Sequence, residues 1–125
     1  MKSYPEIIPV FPLSGVIYFP KTNLPLNIFE QRYLDLVNDA ISKNKLIGMI
    51  QLKRKSKEVY KVGCLGTISD FQKSQDGRIL INLIGLTRFE VLEETKNSKL
   101  YREFKVNYKK FSSDLNPTKE EVNIE

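Results

Sequence analysis

The fold is decided by one stretch near the middle of the chain, Leu46-Ile47-Gly48-Met49-Ile50-Gln51-Leu52. Apolar side chains follow one another here, so both faces of an extended strand would be apolar. A strand of this kind is typical of the centre of a sheet, where both faces are covered. The stretch therefore predicts a central strand at residues 46–52.

Strand patterns continue to the end of the apolar sequence. Residues 59–73 form one predicted strand, with Gly63 and Gly66 as bend or bulge points. Gln75-Asp76-Gly77 lies between apolar runs and predicts a hairpin turn into a strand at 78–84. We expect Gly85 to break that run before a further strand at 86–94.

The last predicted strand covers residues 100–111 and alternates between two faces. One face is expected to carry the apolar residues Leu100, Phe104, Val106 and Tyr108. The polar residues between them, from position 103 to position 109, would point to the other face.

Helical spacing appears before the central strand, at residues 28–43. An apolar stripe with this period is typical of a helix packed on a core, and its members are Tyr33, Leu34, Val37, Ala40 and Ile41. Asn27 and Glu30 resemble a capping pair at the helix start. Lys43 and Lys45 would complement the dipole at its end. Asp35 and Asp39 lie off the stripe, on an expected solvated face.

Prolines dominate the beginning of the chain, where five of the six occur. Proline fixes φ and lacks an N–H, so strands here should be short or at an edge. We predict edge-type strands at residues 8–13 and 24–28. The sum is a β-rich α+β domain with about seven strands and one main helix.

The composition of the 125 residues excludes several classes of site, because there is no His and a single cysteine, Cys64. An intramolecular disulfide, a Cys/His zinc site and a His-based catalytic triad are all excluded. We expect no metal and no cofactor. Cys64 is predicted to be a small buried side chain.

Positive charge is concentrated between residues 43 and 61, where seven cations stand against one acid in a chain of net charge +5. Short basic tracts occur at nucleic-acid interfaces, and the candidate residues are Lys53, Arg54, Lys55 and Lys57. The favoured interpretation is a solvated loop between two strands.

The apolar residues 7–19 are the strongest candidate for a targeting segment, but Pro9, Pro12 and Ser14 interrupt them. A signal peptide needs an unbroken apolar stretch and a small-residue cleavage site. No run approaches the length of a membrane span. We predict a cytoplasmic protein with no membrane partner.

Five short motifs, spread in order along residues 7–111, together resemble the N-terminal domain of the ATP-dependent Lon protease. They are Ile8-Pro9-Val10-Phe11-Pro12-Leu13, Phe19-Pro20, Leu24-Pro25-Leu26, Tyr60-x-Val62-Gly63-x-x-Gly66 and Gly85-Leu86-x-Arg88-Phe89. Residues 28–33 are more similar to free-standing Lon-domain proteins. The resemblance implies a PUA-like pseudo-barrel of six or seven strands over residues 1–112 and a role in recognising polypeptides.

The catalytic parts of the Lon family can be sought directly. Its ATPase requires the phosphate loop G-x-x-x-x-G-K-[ST], and no glycine of this chain is followed by Lys. No flanking motif singles out a serine for a Ser/Lys protease site. We predict a noncatalytic module that binds unfolded polypeptides or a protein partner such as a protease.

Aromatic residues near the N-terminal prolines suggest where a peptide would bind, in a groove or along a strand edge. The predicted peptide-binding residues are Tyr18, Phe19, Phe29, Arg32 and Tyr33. Two alternatives stay open. Several of these rings would instead fill the core, and Glu30 would cap the helix while Arg32 pairs with an acid. An RNA-binding PUA-like protein that uses the basic segment is the alternative function.

The end of the chain is polar, and Thr118 to Glu121 has the form of a capping box. We expect residues 113–125 to be a polar tail and the start of a truncated helical region.

Overall fold

Six strands, one α-helix and one 3₁₀ helix make up the part of the chain that the computed structural model describes, residues 4–13, 20–53 and 56–115. In chain order they are β1 (Ile7–Leu13), β2 (Asn23–Ile28), α1 (Gln31–Ser42), β3 (Leu46–Gln51), β4 (Val62–Lys73), β5 (Ile79–Thr95), β6 (Arg102–Asn107) and the 3₁₀ helix η1 (Lys109–Leu115).

The strands form one sheet in the order β2-β5-β4-β3-β1-β6, and β6 pairs back with β5. This pairing is possible because β5 has 17 residues and, besides β4 on one side, two successive partners on the other side. Its first half pairs with β2 and its second half with β6. Five strands therefore close into a barrel, while β2 lies outside the closed ring. The β-rich α+β pseudo-barrel prediction is confirmed, with six strands described.

The central strand β3 faces two cores. Its residues Leu46 and Ile50 belong to a cluster built from the five strands of the ring, whose other members are Ile8, Val10, Leu65, Phe89, Phe104 and Val106. Its residues Ile47 and Met49 belong to a second cluster, which α1 covers with Leu36, Val37 and Ala40. The prediction that β3 is apolar on both faces is therefore confirmed.

The interior of the barrel is filled by Phe89, which is fully buried. Space for its ring comes from two glycines on neighbouring strands. A Cβ at Gly48 would lie 3.3 Å from the Phe89 ring, and one at Gly63 would lie 2.6 Å from Phe89 Cζ. The register between β4 and β5 shifts beside Gly66, one of the predicted bend or bulge points, and the extra residue is Leu86 of β5.

Three strand predictions are wrong in detail. Gly85 does not end a strand, since β5 continues through it and pairs Gly85 with Gly66. The last strand ends at Asn107, four residues earlier than predicted, and η1 begins at Lys109. Leu100 precedes β6 and is exposed, whereas Tyr101 is buried, so the predicted apolar face does not extend to Leu100.

Among the described strands, the edge prediction holds for β2 and is wrong for β1. β1 runs parallel to β3 over Val10 to Leu13 and antiparallel to β6 over Ile7 to Val10. Pro9 and Pro12 each have a strand on one side only, so a missing N–H on the unpaired side removes no ladder hydrogen bond. β1 thus tolerates its prolines while closing the barrel.

Helix α1 begins later than predicted and is capped differently. Asn27 belongs to β2, and Glu30 is the N-cap with an extended backbone and no side-chain cap hydrogen bond. The Glu30 carbonyl accepts hydrogen bonds from the backbone N–H groups of Tyr33 and Leu34. Lys43 is the C-cap and Lys45 lies two residues beyond it, so the last turn itself carries no basic residue.

The two barrel glycines provide a test of this packing. Gly63→Ala should lower the free energy of unfolding by about 2–3 kcal/mol, because the new methyl group would also lie 2.6 Å from the rigid Met49 carbonyl oxygen. Gly48→Ala should cost only about 1 kcal/mol, since its nearest atom is the movable end of the Ile8 side chain. Urea denaturation measures both, and equal losses would contradict this account.

Candidate functional site

The candidate site lies where β2 passes into α1. Ile28, the last residue of β2, is buried beneath the helix, and the side chain of the next residue, Phe29, is 65% exposed. Successive side chains of an extended chain point to opposite faces, so burying Ile28 directs Phe29 outward. Phe29, one of the predicted peptide-binding residues, is therefore exposed at this junction, and its role in binding stays a prediction.

The rings of Tyr33 and Phe11 pack against each other on the core side of this junction. Their ring centroids are 4.4 Å apart at an interplanar angle of 41°. Both rings are half-buried and pack against the core under α1. Burial raises the pKa of the Tyr33 hydroxyl. Tyr33 is therefore shared between the core and the surface, as the alternative interpretation of the aromatic residues allowed.

Arg32 projects from the first turn of α1 into solvent. Its guanidinium carbon lies 5.7 Å from the centre of the Tyr33 ring, and its Nε lies 4.0 Å from a carboxylate oxygen of Glu30. Both charged groups are more than half exposed, so their attraction is weak. Glu30 and Arg32 thus pair loosely and remain accessible to a ligand. The other two predicted residues, Tyr18 and Phe19, lie outside the described residues.

Arg102 connects several parts of the barrel and was not singled out from the sequence. It donates hydrogen bonds of 2.9 and 2.8 Å to the two carboxylate oxygens of Glu94 and one of 2.9 Å to the Lys57 carbonyl. Its guanidinium also lies 5.1 Å from the centre of the Phe104 ring. These hydrogen bonds hold the pKa of Glu94 below its ordinary value. Arg102 therefore fastens the basic loop to the β5–β6 hairpin.

Helix α1 is fastened to β6 by a second polar contact. The Tyr101 hydroxyl donates a 2.6 Å hydrogen bond to the carboxylate of Asp39. Burial, together with that carboxylate, raises the pKa of Tyr101. Asp39 is exposed, as the sequence predicted, and its carboxylate also accepts the hydrogen bond that holds the helix.

The structure divides the basic segment into two groups. Lys43 and Lys45 precede β3, whereas Lys53, Lys57 and Lys61 follow it. A six-residue strand such as β3 spans roughly 17 Å. That span is about twice the Debye length at physiological ionic strength. Lys43 and Lys45 are therefore separated from the cations that follow β3. Among the candidate nucleic-acid residues, Arg54 and Lys55 lie outside the described residues, and the RNA alternative stays a prediction.

The described residues contain no group of three or more His, Cys, Asp or Glu side chains that could hold a metal. Cys64 is buried, as the sequence predicted. In the described ranges, no helix has the length and hydropathy needed to cross a membrane.

The family model of the ATP-dependent protease La (LON) substrate-binding domain matches residues 7–124. The chain belongs to this family. The match starts at β1, includes the β2–α1 junction and continues beyond η1.

Relatives and solved structures agree with the Lon assignment. The chain is 32% identical over 94 residues to the Lon protease of Dictyoglomus thermophilum and 33% identical over 100 residues to that of Desulfosudis oleivorans. The aligned regions are 71% and 74% of this chain, which spans only 12% of each relative's length.

Among solved structures, a Lon N-terminal domain protein from Xanthomonas campestris superposes with a TM-score of 0.70 at 27% identity, over 82% of this chain and 59% of that one. The N-terminal domain of Lon protease from the Mycobacterium avium complex gives 0.66 at 12% identity, over 82% and 54%, and shares the fold.

The basic loop gives the next prediction. Replacing Lys53, Arg54, Lys55 and Lys57 with Ser should leave folding and polypeptide binding intact, because the loop is attached through the Lys57 backbone carbonyl. Thermal melting and polypeptide binding measured across a salt titration check this. RNA affinity would fall steeply with salt, whereas binding through apolar groups would change little. Loss of a salt-sensitive interaction in this variant would favour the RNA alternative.

Proposed function

We propose that this chain is a noncatalytic Lon-like recognition module that binds unfolded or partner polypeptides in connection with ATP-dependent proteolysis, in the cytoplasm. The observation that carries the proposal is the exposed ring of Phe29 at the β2–α1 junction. It lies within a domain whose family is defined by substrate binding. Unfolded polypeptides expose the apolar side chains that such a ring would contact.

The residues next to Phe29 are fixed in the core, which favours a role of the exposed ring in ligand binding. Ile28 on one side is anchored in the core, and Tyr33 one turn into α1 stacks on Phe11. The ring is therefore presented by fixed backbone, which lowers the entropy lost when a ligand binds. Arg32 adds a cation beside it for a polar or acidic group of the ligand.

Among the described residues, this surface shows no nucleophile placed beside a general base. Phe29, Arg32 and Tyr33 supply two rings and a guanidinium, and none of these is a nucleophile beside a general base. Tyr33, whose pKa is raised by burial, is also less prone to ionise. The arrangement suits contact with a polypeptide and leaves cleavage to another domain or protein.

Removal of the ring tests the site. Phe29→Ala should weaken binding of fluorescein-labelled, reduced and carboxymethylated α-lactalbumin by about tenfold, which corresponds to losing part of the burial free energy of one phenylalanine. Fluorescence anisotropy measures the affinity.

Leu92→Ala is the matched control, because Leu92 is 49% exposed and lies on the half of β5 that pairs with β6. Its affinity should equal that of the wild type. Equal losses in both variants would show that exposed apolar residues act without a defined site. Wild-type protein that binds none of this probe would overturn the proposed function.

Assays of ATP hydrolysis and casein cleavage test whether the module is noncatalytic. Purified protein should neither hydrolyse ATP nor cleave casein, because the sequence lacks the phosphate loop and any marked Ser/Lys pair. Magnesium-dependent ATP turnover that follows this chain through successive purification steps would contradict it.

A further inference from the structure

The outer edge of β2 is the one strand edge of the barrel region that the described residues leave without a partner along its whole length. β5 pairs with all six residues of β2 on the inner side. Among residues 4–13, 20–53 and 56–115, no strand pairs with the other side. An unpaired edge presents backbone N–H and C=O groups that another chain can bind.

A β-bulge at Lys21 and Thr22, directly before β2, establishes which backbone groups of β2 point outward. The Lys21 N–H donates to the Gly85 carbonyl at 2.8 Å, and the Gly85 N–H donates to the Thr22 carbonyl at 3.0 Å. Lys21 has a φ of 67°, as the first residue of this kind of bulge requires. Thr22 therefore faces β5 with its hydrogen-bonding groups.

Hydrogen-bonded and non-hydrogen-bonded pairs alternate along an antiparallel ladder. From Thr22, the even-numbered residues of β2 bond to β5, and the odd-numbered ones direct their backbone groups to the outer edge. Those residues are Asn23, Pro25 and Asn27, and all three are exposed. Pro25 is consistent with this alternation, because the position of its missing N–H faces the outer edge and not β5. The edge thus offers two N–H groups and three carbonyls.

We propose that this edge binds an extended segment of the polypeptide ligand as an added β-strand, with Phe29 contacting a side chain of that segment at the end of the edge. The inference rests on the proposed function and specifies its mode of recognition. Hydrogen bonds to the main chain are independent of the ligand's side chains. A module that receives many unfolded sequences would gain affinity in this way without demanding one motif.

Pro25 indicates that the occupant is a different polypeptide and not a second copy of β2. Two β2 edges paired antiparallel about Pro25 would place proline opposite proline, and both central hydrogen bonds would be absent. An ordinary residue of a ligand can instead donate its N–H to the Pro25 carbonyl. Proline at an edge is a known protection against self-association.

Removing one outward N–H tests the proposal on the full chain. Asn27→Pro deletes that donor but retains the ladder to β5, and the preceding residue, Leu26, is already extended as proline requires. Affinity for carboxymethylated α-lactalbumin should fall by about three- to tenfold, the range expected for one hydrogen bond. Asn27→Ala, which keeps the N–H, should bind as the wild type does.

Amide hydrogen exchange on the wild-type protein gives an answer even if Asn27→Pro does not fold. The Asn23 and Asn27 amides should exchange fast in the free protein and slow at least several-fold with the probe bound. Unchanged exchange, or an Asn27→Pro variant that folds and binds normally, would overturn the edge proposal. If Phe29→Ala still weakened binding in that case, the proposed function would stand without it. A dimer held through β2 would also overturn the proposal.

Discussion

The structure depends on the contact between the Phe89 ring and two strands that carry no side chain beside it. A Cβ at Gly63 would come within 2.6 Å of both Phe89 Cζ and the Met49 carbonyl oxygen. β4 can therefore approach the ring only as glycine backbone at Gly63, and at Gly48 of β3 a Cβ would still lie 3.3 Å from the ring. The large Phe89 ring occupies the centre of the barrel interior, and the surrounding side chains pack closely against it. The remaining interior residues are aliphatic side chains and the ring of Phe104, packed around this centre.

Closure around Phe89 explains where the candidate site lies. β5 is long enough to bond β4 along most of its length and to divide its other side between β2 and β6. The half that pairs with β6 completes the ring, and the half that pairs with β2 extends past it. β2 consequently has a free side among the described strands, and the turn into α1 brings Phe29 to the same end. The barrel thus supplies a rigid base for both features.

Local patterns predicted those parts of the fold that depend on neighbouring residues. β3 was recognisable because Ile47 and Met49 alternate with interior residues, so both faces are apolar. The hairpin at Gly77 was recognisable because its φ of 95° needs glycine. The double pairing of β1 was not predictable, because it depends on β6, about ninety residues later in the chain. The prediction at Gly85 was wrong for a similar reason. A glycine in a strand pattern can mark the end of a strand or a bulge within it, and only the pairing of Gly85 with the distant Gly66 shows that the strand continues.

The candidate site shows the same division between local and distant information. Phe29 could be predicted because a buried Ile28 and a helix start fix its direction locally. Arg102 could not, because its partners Glu94 and Lys57 are 8 and 45 residues away in sequence. In the basic segment, closeness along the chain does not give closeness in space for all of the cations, and the RNA alternative stays a prediction. A rigid strand carries Lys45 and Lys53 to opposite ends, so a charge excess counted along the sequence need not form a surface for RNA. The proposed contact with a polypeptide at the β2–α1 junction uses the exposed ring of Phe29 and does not depend on that excess.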